Sequence, residues 1–139
     1  MSSIQGIQLN CRSINTKLVE TKLLIYQSKP DFVALCETWI TSNTKYVPRF
    51  EGYIPEWQHR PAGVGGGLCL LVKRGIQYTK LDLNKYTGGV LEVQAIQLYQ
   101  ENSQPISILN IYNPNQNLIE IELVHYQTTR EQIFNSWRL

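Results

Sequence analysis

No stretch of this sequence approaches the roughly 18 consecutive apolar residues that a membrane-spanning helix needs, so a spanning segment is excluded and no membrane partner is expected. The first six residues, Met1 to Gly6, carry neither a basic region nor an apolar one, so no secretory signal is read there. The three cysteines, Cys11, Cys36 and Cys69, form no C-x-x-C pair, and neither His59 nor His125 has a partner at metal-ligand spacing. A zinc site and a disulfide framework are therefore not expected. A reducing intracellular location, nuclear or cytoplasmic and not secreted, follows. Each thiol reads as a small buried apolar residue. Charged residues are few, at 17%, and the net charge of +2 falls well short of that of a protein held on nucleic acid by electrostatics alone. Internal repeats and low-complexity segments are lacking. What is present is 42% apolar residues in a chain of 139, enough for one domain with a real core.

Ile4 to Leu9 alternates apolar and polar side chains and predicts a strand ending at Asn10. Arg12-Ser13-Ile14-Asn15 reads as a turn, with Asn15 or Thr16 as helix cap. Leu18, Val19, Leu23, Leu24 and Tyr26 lie at helical spacing, which predicts an amphipathic helix over 16–28, stopped by Lys29-Pro30-Asp31. Phe32-Val33-Ala34-Leu35-Cys36 is a continuous apolar run, the pattern of a strand buried on both faces. Strand, helix and strand within about 33 residues make a βαβ-like unit. From Trp39 to about Gly67, prolines, aromatics and glycines predict a long irregular loop packed by its own side chains. Further strands follow at 68–72, 76–83, 90–99 and 106–112, joined by short turns in an antiparallel meander. Asn117 and Glu120 resemble a capping box, so 118–139 is expected to be helical, anchored by Leu118, Ile121, Val124 and Ile133. The fold class is α+β with a mixed sheet.

The glycine cluster Gly63-Val64-Gly65-Gly66-Gly67 fails as a phosphate loop. It has no Gly-Lys-Ser/Thr, and it precedes a strand where a helix should open. It fits a loop entering a tightly packed strand. More telling are polar residues at the ends of three apolar strands: Asn10, Glu37, and Tyr112-Asn113-Pro114-Asn115. A carboxylate such as Glu37 at a strand end has a plain reading, a surface residue just past the edge. Its sharper reading is a hard-cation site, since Mg²⁺ is often held by one or two carboxylates with waters and substrate phosphate. Asn10 can then ligate or orient, and the Tyr112 phenol can donate to a phosphate oxygen.

Four blocks in this order carry a family resemblance: Ile7-Gln8-Leu9-Asn10-Cys11-Arg12-Ser13-Ile14, Lys29-Pro30-Asp31-Phe32-Val33-Ala34-Leu35-Cys36-Glu37-Thr38-Trp39-Ile40, Gly65-Gly66-Gly67-Leu68-Cys69-Leu70-Leu71-Val72-Lys73 and Leu109-Asn110-Ile111-Tyr112-Asn113-Pro114-Asn115. Over residues 4 to about 117 the chain resembles the endonuclease/exonuclease/phosphatase superfamily. Within it the match is to the apurinic-endonuclease-like domain of non-LTR, jockey-like retrotransposons. The resemblance implies the N-terminal half of a four-layer α/β/β/α sandwich and a Mg²⁺- or Mn²⁺-dependent endonuclease. That enzyme nicks double-stranded DNA to prime a downstream reverse transcriptase. It also implies roles: Glu37 with Asn10 at one metal ion, Asn10 and Tyr112 as catalytic residues, and Asn115 facing the DNA backbone. Arg12, Arg60 and Lys73 are candidate phosphate contacts, with Arg74 beside them. His59 can face DNA or be a solvated loop residue, and Trp39 and Trp57 can stack on bases or pack the loop.

The sequence departs from the pattern in lacking the family's Gly-Asp-x-Asn and Ser-Asp-His strings. Its only aspartates are Asp31 and Asp82. The groups that orient the attacking water and bind the phosphate by histidine are thus missing, as if the second half of the domain were absent, and the chain is expected to be inactive alone. Two other readings stay open: a degenerate, non-catalytic copy serving as a nucleic-acid-binding or interaction module, and another phosphodiesterase or phosphatase of the same superfamily.

Overall fold

A computed structural model describes residues 3–59, 65–83 and 92–113, together with the backbone of 132–137. The chain forms two compact units, residues 1–74 and 75–139, each built on a four-stranded sheet.

In the first unit β1 (Gly6–Asn10), β2 (Phe32–Cys36), β4 (Leu68–Lys73) and β3 (Tyr53–Gln58) lie side by side in that spatial order. β1 and β2 run parallel, while β4 is antiparallel to both β2 and β3. The two apolar runs take the two central positions, where every residue from Phe32 to Cys36 and from Leu68 to Val72 is buried. Phe32 lies against Gly6, the residue beside it in β1, and its ring fills the space where a Cβ would stand. This close approach requires glycine. Between β1 and β2 run a 3₁₀ turn (Ile14–Lys17) and α1 (Leu18–Ser28), giving the expected βαβ unit. The helix ends on Lys29 in left-handed conformation, its N–H bonded to the Ile25 carbonyl at 2.7 Å, and Pro30 prevents continuation.

Three expectations about this unit are corrected. The segment 40–67 is not irregular throughout, because β3 forms within it. Pro55 is accommodated since β3 is an edge strand, where a missing N–H costs no ladder bond. The helix has no side-chain cap from Asn15 or Thr16; Asn15 instead bonds the Tyr46 carbonyl, and Thr16 bonds that of Ser13. The buried stripe of α1 is Thr21 and Ile25, continuing from Ile14 and half-buried Leu18, while Val19 and Leu23 are 78% and 55% exposed. Ile14, Leu18, Thr21 and Ile25 follow the i, i+3/i+4 spacing of one face. The threonine inside that stripe disguised it, its hydroxyl being satisfied by the Lys17 carbonyl at 2.7 Å.

In the second unit β5 (Gln77–Leu81), β6 (Glu92–Tyr99) and β7 (Ile106–Asn113) form an antiparallel meander; the strand at 68–72, expected to open that meander, pairs with β2 and β3 instead and belongs to the first sheet. Leu83, Val93, Ala95, Leu109 and Ile111 make its core on one face. The expected helix over 118–139 is corrected at its end: residues Gln132–Trp137 form β8, parallel to β7. Ile133, Phe134 and Trp137 favour strand, and the helical spacing of apolar anchors lapses after Val124. The glycine turn at 87–89 and the capping box at 117–120 lie outside the described residues. No described helix is long and apolar enough to cross a membrane.

Replacing Ile25 with Ala is expected to cost about 2–5 kcal/mol of folding stability, through lost burial and the cavity left. Leu23→Ala should stay within about 0.5 kcal/mol, as exposed positions do. Urea denaturation of the two variants checks this, and equal losses would contradict the assigned helix face.

Candidate functional site

Because β1 and β2 are parallel and in register, their last residues, Asn10 and Cys36, are paired. Glu37 is the next residue on. The sheet directions put three more groups on the same edge. β3 runs parallel to β2, so Gln58 and His59 end there, and β4 begins there at Leu68.

Pairing continues past the strands into the loops. Cys11 N–H bonds the Cys36 carbonyl at 2.9 Å, Ser13 N–H the Glu37 carbonyl at 2.9 Å and Ile14 N–H the Thr38 carbonyl at 3.0 Å. On the other side Thr38 N–H bonds the Gly67 carbonyl at 3.2 Å, and Trp39 N–H that of Gly66 at 2.9 Å. The segment 37–39 is thus clamped between two neighbours. Strain accompanies the clamp: Arg12, Ser13, Glu37 and Trp39 all have positive φ, from 45° to 80°. Four non-glycine residues in that region, gathered at one sheet edge, are the kind of outlier that clusters at working sites. Gly67 has φ +92°, and an added Cβ would stand 2.6 Å from the Thr38 hydroxyl. The glycine cluster therefore serves as a clasp on the Glu37 loop, which supports the packed-loop reading over a phosphate loop.

Glu37 is 4% exposed and Thr38 1%. Asn10 and Arg12 are exposed. Burial pushes the Cys11 thiol up to about 12, with nearby Cys36 and Glu37 adding to the shift and Lys17 opposing it. All three cysteines are free and buried, and burial also raises Cys69 well above its usual value. They are packing groups, as their sequence context indicates.

The donor set decides what ion fits. Among the described residues no three His, Cys, Asp or Glu side chains gather, so there is no soft-metal cage. One buried carboxylate beside an exposed amide suits a hard cation that keeps most of its waters. Glu37 and Asn10 are oxygen donors of the kind a hard divalent cation takes.

Of the remaining sequence candidates, Tyr112 belongs to the second unit, where it is buried near the end of β7. It shares a sheet face with Asn110 and, across the ladder, with Glu92 and Gln94. Asn110 donates to Gln94 Oε1 at 3.4 Å. Ile96, Leu98 and Ile108 occupy the rest of that face, so it turns from apolar to polar along the strand. Sequence reasoning missed Glu92 and Gln94, although both interrupt an apolar alternation. Arg60 and Asn115 lie outside the described residues. Lys73 is not brought to this edge. It ends β4 opposite Tyr53, and its N–H bonds the Asp31 carbonyl, so antiparallel pairing carries it to the far edge of the sheet. At about 3.3 Å per residue that is some 15–20 Å from Glu37, and Arg74 goes with it. Trp57 packs against the core of the first unit, whereas Trp39 is 47% exposed beside Glu37.

No protein-family model matches the sequence, and no curated protein matches it either. Solved structures do match its fold. The endonuclease domain of TRAS1, a telomere-specific non-LTR retrotransposon, superposes with a TM-score of 0.66 at 11% identity, over 96% of this chain and 59% of that one. The apurinic endonuclease LMAP of Leishmania major gives 0.61 at 15% identity, over 88% of this chain and 44% of that one. An endonuclease/exonuclease/phosphatase family protein of Leptotrichia buccalis gives 0.60 at 11%, over 96% and 66%. This chain has the endonuclease/exonuclease/phosphatase fold and spans about half the length of the first two of these neighbours.

Gly67→Ala is expected to destabilise the protein by about 2 kcal/mol or more, from strained φ and the clash with Thr38; thermal melting measures it. A second expectation concerns pH. With the Cys11 thiol held protonated to about 12 in the fold against 9.0 unfolded, the unfolded chain loses its proton first. Stability contributed by the protonated thiol is full below about pH 9 and falls as pH rises toward 12. Melting curves at pH 8 and 10.5 should show a smaller drop for Cys11→Ala than for the unaltered protein.

Proposed function

We propose that this chain carries part of a divalent-metal-dependent DNA endonuclease site of the retrotransposon kind. The observation that supports this most is Glu37, a buried carboxylate in strained backbone, clamped next to Asn10 at the ends of two parallel strands. Those two residues would hold Mg²⁺ or Mn²⁺, and the bound ion would neutralise charge on the phosphoryl oxygens of the scissile phosphodiester. The two-sided clamp fixes the backbone that carries the buried Glu37 side chain before any substrate arrives, which is what a preorganised site requires. Arg12, exposed beside Asn10, would meet the phosphate backbone of double-stranded DNA, as would Asn115 and Arg60. Tyr112 would donate its phenolic proton in a hydrogen bond to a non-bridging phosphate oxygen. Lys73 and Arg74 take no part in this reading. In the polyprotein context the nicked 3′ end would prime a reverse transcriptase.

The groups that activate water in this chemistry, carried by Gly-Asp-x-Asn and Ser-Asp-His strings, are not among these 139 residues. Metal binding without turnover is therefore expected of the chain by itself. Electron paramagnetic resonance titration with Mn²⁺ should show one site whose affinity falls about tenfold or more in Glu37→Gln and is unchanged in Asp82→Asn. Absence of Mn²⁺ binding by the unaltered protein would overturn the proposal. Supercoiled plasmid with Mg²⁺ should remain un-nicked, and robust nicking abolished by Glu37→Ala would show that the chain completes the chemistry after all.

A further inference from the structure

Charge is divided unevenly along the chain. Residues 1–74 hold nine Lys or Arg against five Asp or Glu, a net +4, whereas residues 75–139 are net −2. Part of that excess converges where the metal-site reading has no use for it. Lys22 on α1, Arg49 in the loop before β3 and Arg74 just after β4 line one cavity of about 610 Å³. It sits at the end of the sheet where Tyr53 pairs with Lys73 and where Arg74 N–H bonds the Gly52 carbonyl at 2.9 Å. This is the edge opposite Glu37. None of the three cations forms an ion pair among the described residues, and Glu51 is the sole carboxylate on the cavity wall.

Aromatic rings make much of the remaining wall. Tyr26, one turn along α1 from Lys22, is 41% exposed, while Phe50 is buried beneath. The Lys22 ammonium lies 6.0 Å from the centroid of the Phe50 ring, which leaves the aliphatic stem and the charge together on the wall. The Tyr26 hydroxyl accepts a hydrogen bond from the Glu51 N–H at 3.2 Å, which fixes the ring. Cations lining one cavity beside an aromatic platform suit an anion attached to a planar group. Cavities of about 300–1,000 Å³ hold ligands of nucleotide size, and a concavity of this size excludes a duplex.

We infer that this cavity is a second nucleic-acid site, which takes one phosphate and the adjoining base of a single strand. Arg49, Arg74 and Lys22 meet the phosphate, and Tyr26 stacks the base. The site does not rest on the metal chemistry of Glu37, so the test is run in EDTA.

Fluorescence anisotropy with a labelled dT12 strand should give at least tenfold weaker binding for Arg49→Ala/Arg74→Ala. The slope of log affinity against log salt should shrink by about 0.7, for the one phosphate that is no longer neutralised. Tyr26→Ala should weaken binding about fivefold or more and Tyr26→Phe, which keeps the ring but loses its tether, by less, whereas Lys45→Ala should stay within twofold. Circular dichroism melts confirm that each variant is folded. Wild-type affinity in the double arginine variant, or an equal loss in Lys45→Ala, overturns the inference. AMP should compete better than adenosine, and equal competition would remove the phosphate from the account. AMP binding as tightly as dT12, or a 12-base-pair duplex that binds more tightly and loses as much affinity in the double arginine variant, would overturn the single-strand assignment.

Discussion

The segment 37–39 is held by backbone hydrogen bonds from both sides, and the candidate site depends on that clamp. Ser13 and Ile14 donate to the carbonyls of Glu37 and Thr38, while the N–H groups of Thr38 and Trp39 donate to the glycine loop. Ladder bonds of this kind usually stop where strands stop. Here they run on into three loops, so residues that would otherwise lie in mobile turns have the fixity of a sheet. The strain at Arg12, Ser13, Glu37 and Trp39 persists because each strained residue lies in or beside a segment tied to its neighbours.

The same sheet separates two kinds of chemistry by strand direction alone. Parallel β1 and β2 deliver Asn10 and Glu37 to one edge. Antiparallel β4 starts at that edge and carries Lys73 and Arg74 to the other, where Lys22 and Arg49 join Arg74 around a cavity. A carboxylate suited to a hard cation and a cluster of guanidinium and ammonium groups thus stand some 15–20 Å apart. Neither quenches the other. The weak net charge of the whole chain conceals this division, which is why composition alone pointed away from a cationic surface.

Element type was legible wherever a single pattern dominated. Phe32 to Cys36 and Leu68 to Val72 are unbroken apolar runs and became the central strands; the alternation at 92–99 and 106–112 became the antiparallel pair. Legibility failed where one residue served the tertiary structure against its local signal. Pro55 hid an edge strand, Thr21 hid the buried stripe of α1, and Ile133, Phe134 and Trp137 answered the open edge of β7 instead of continuing a helix. At the site, Glu37 and Asn10 were visible as polar ends of apolar strands. The clamp was not, because hydrogen bonds between residues about 25 or more apart leave no local trace.

By itself the sequence determined the periodicities, the strand-terminal polar residues and the lack of the water-activating strings, since each is a property of neighbouring residues. Tertiary structure decided which of those polar residues share an edge. Lys73 and Glu37 are equally plausible as strand-end charges in the sequence, and only the opposite directions of β2 and β4 send them apart. Likewise Lys22, Arg49 and Arg74 are three ordinary basic residues until the helix, the loop before β3 and the end of β4 converge. Direction and register arise from pairing between distant segments, and a chain read residue by residue carries neither.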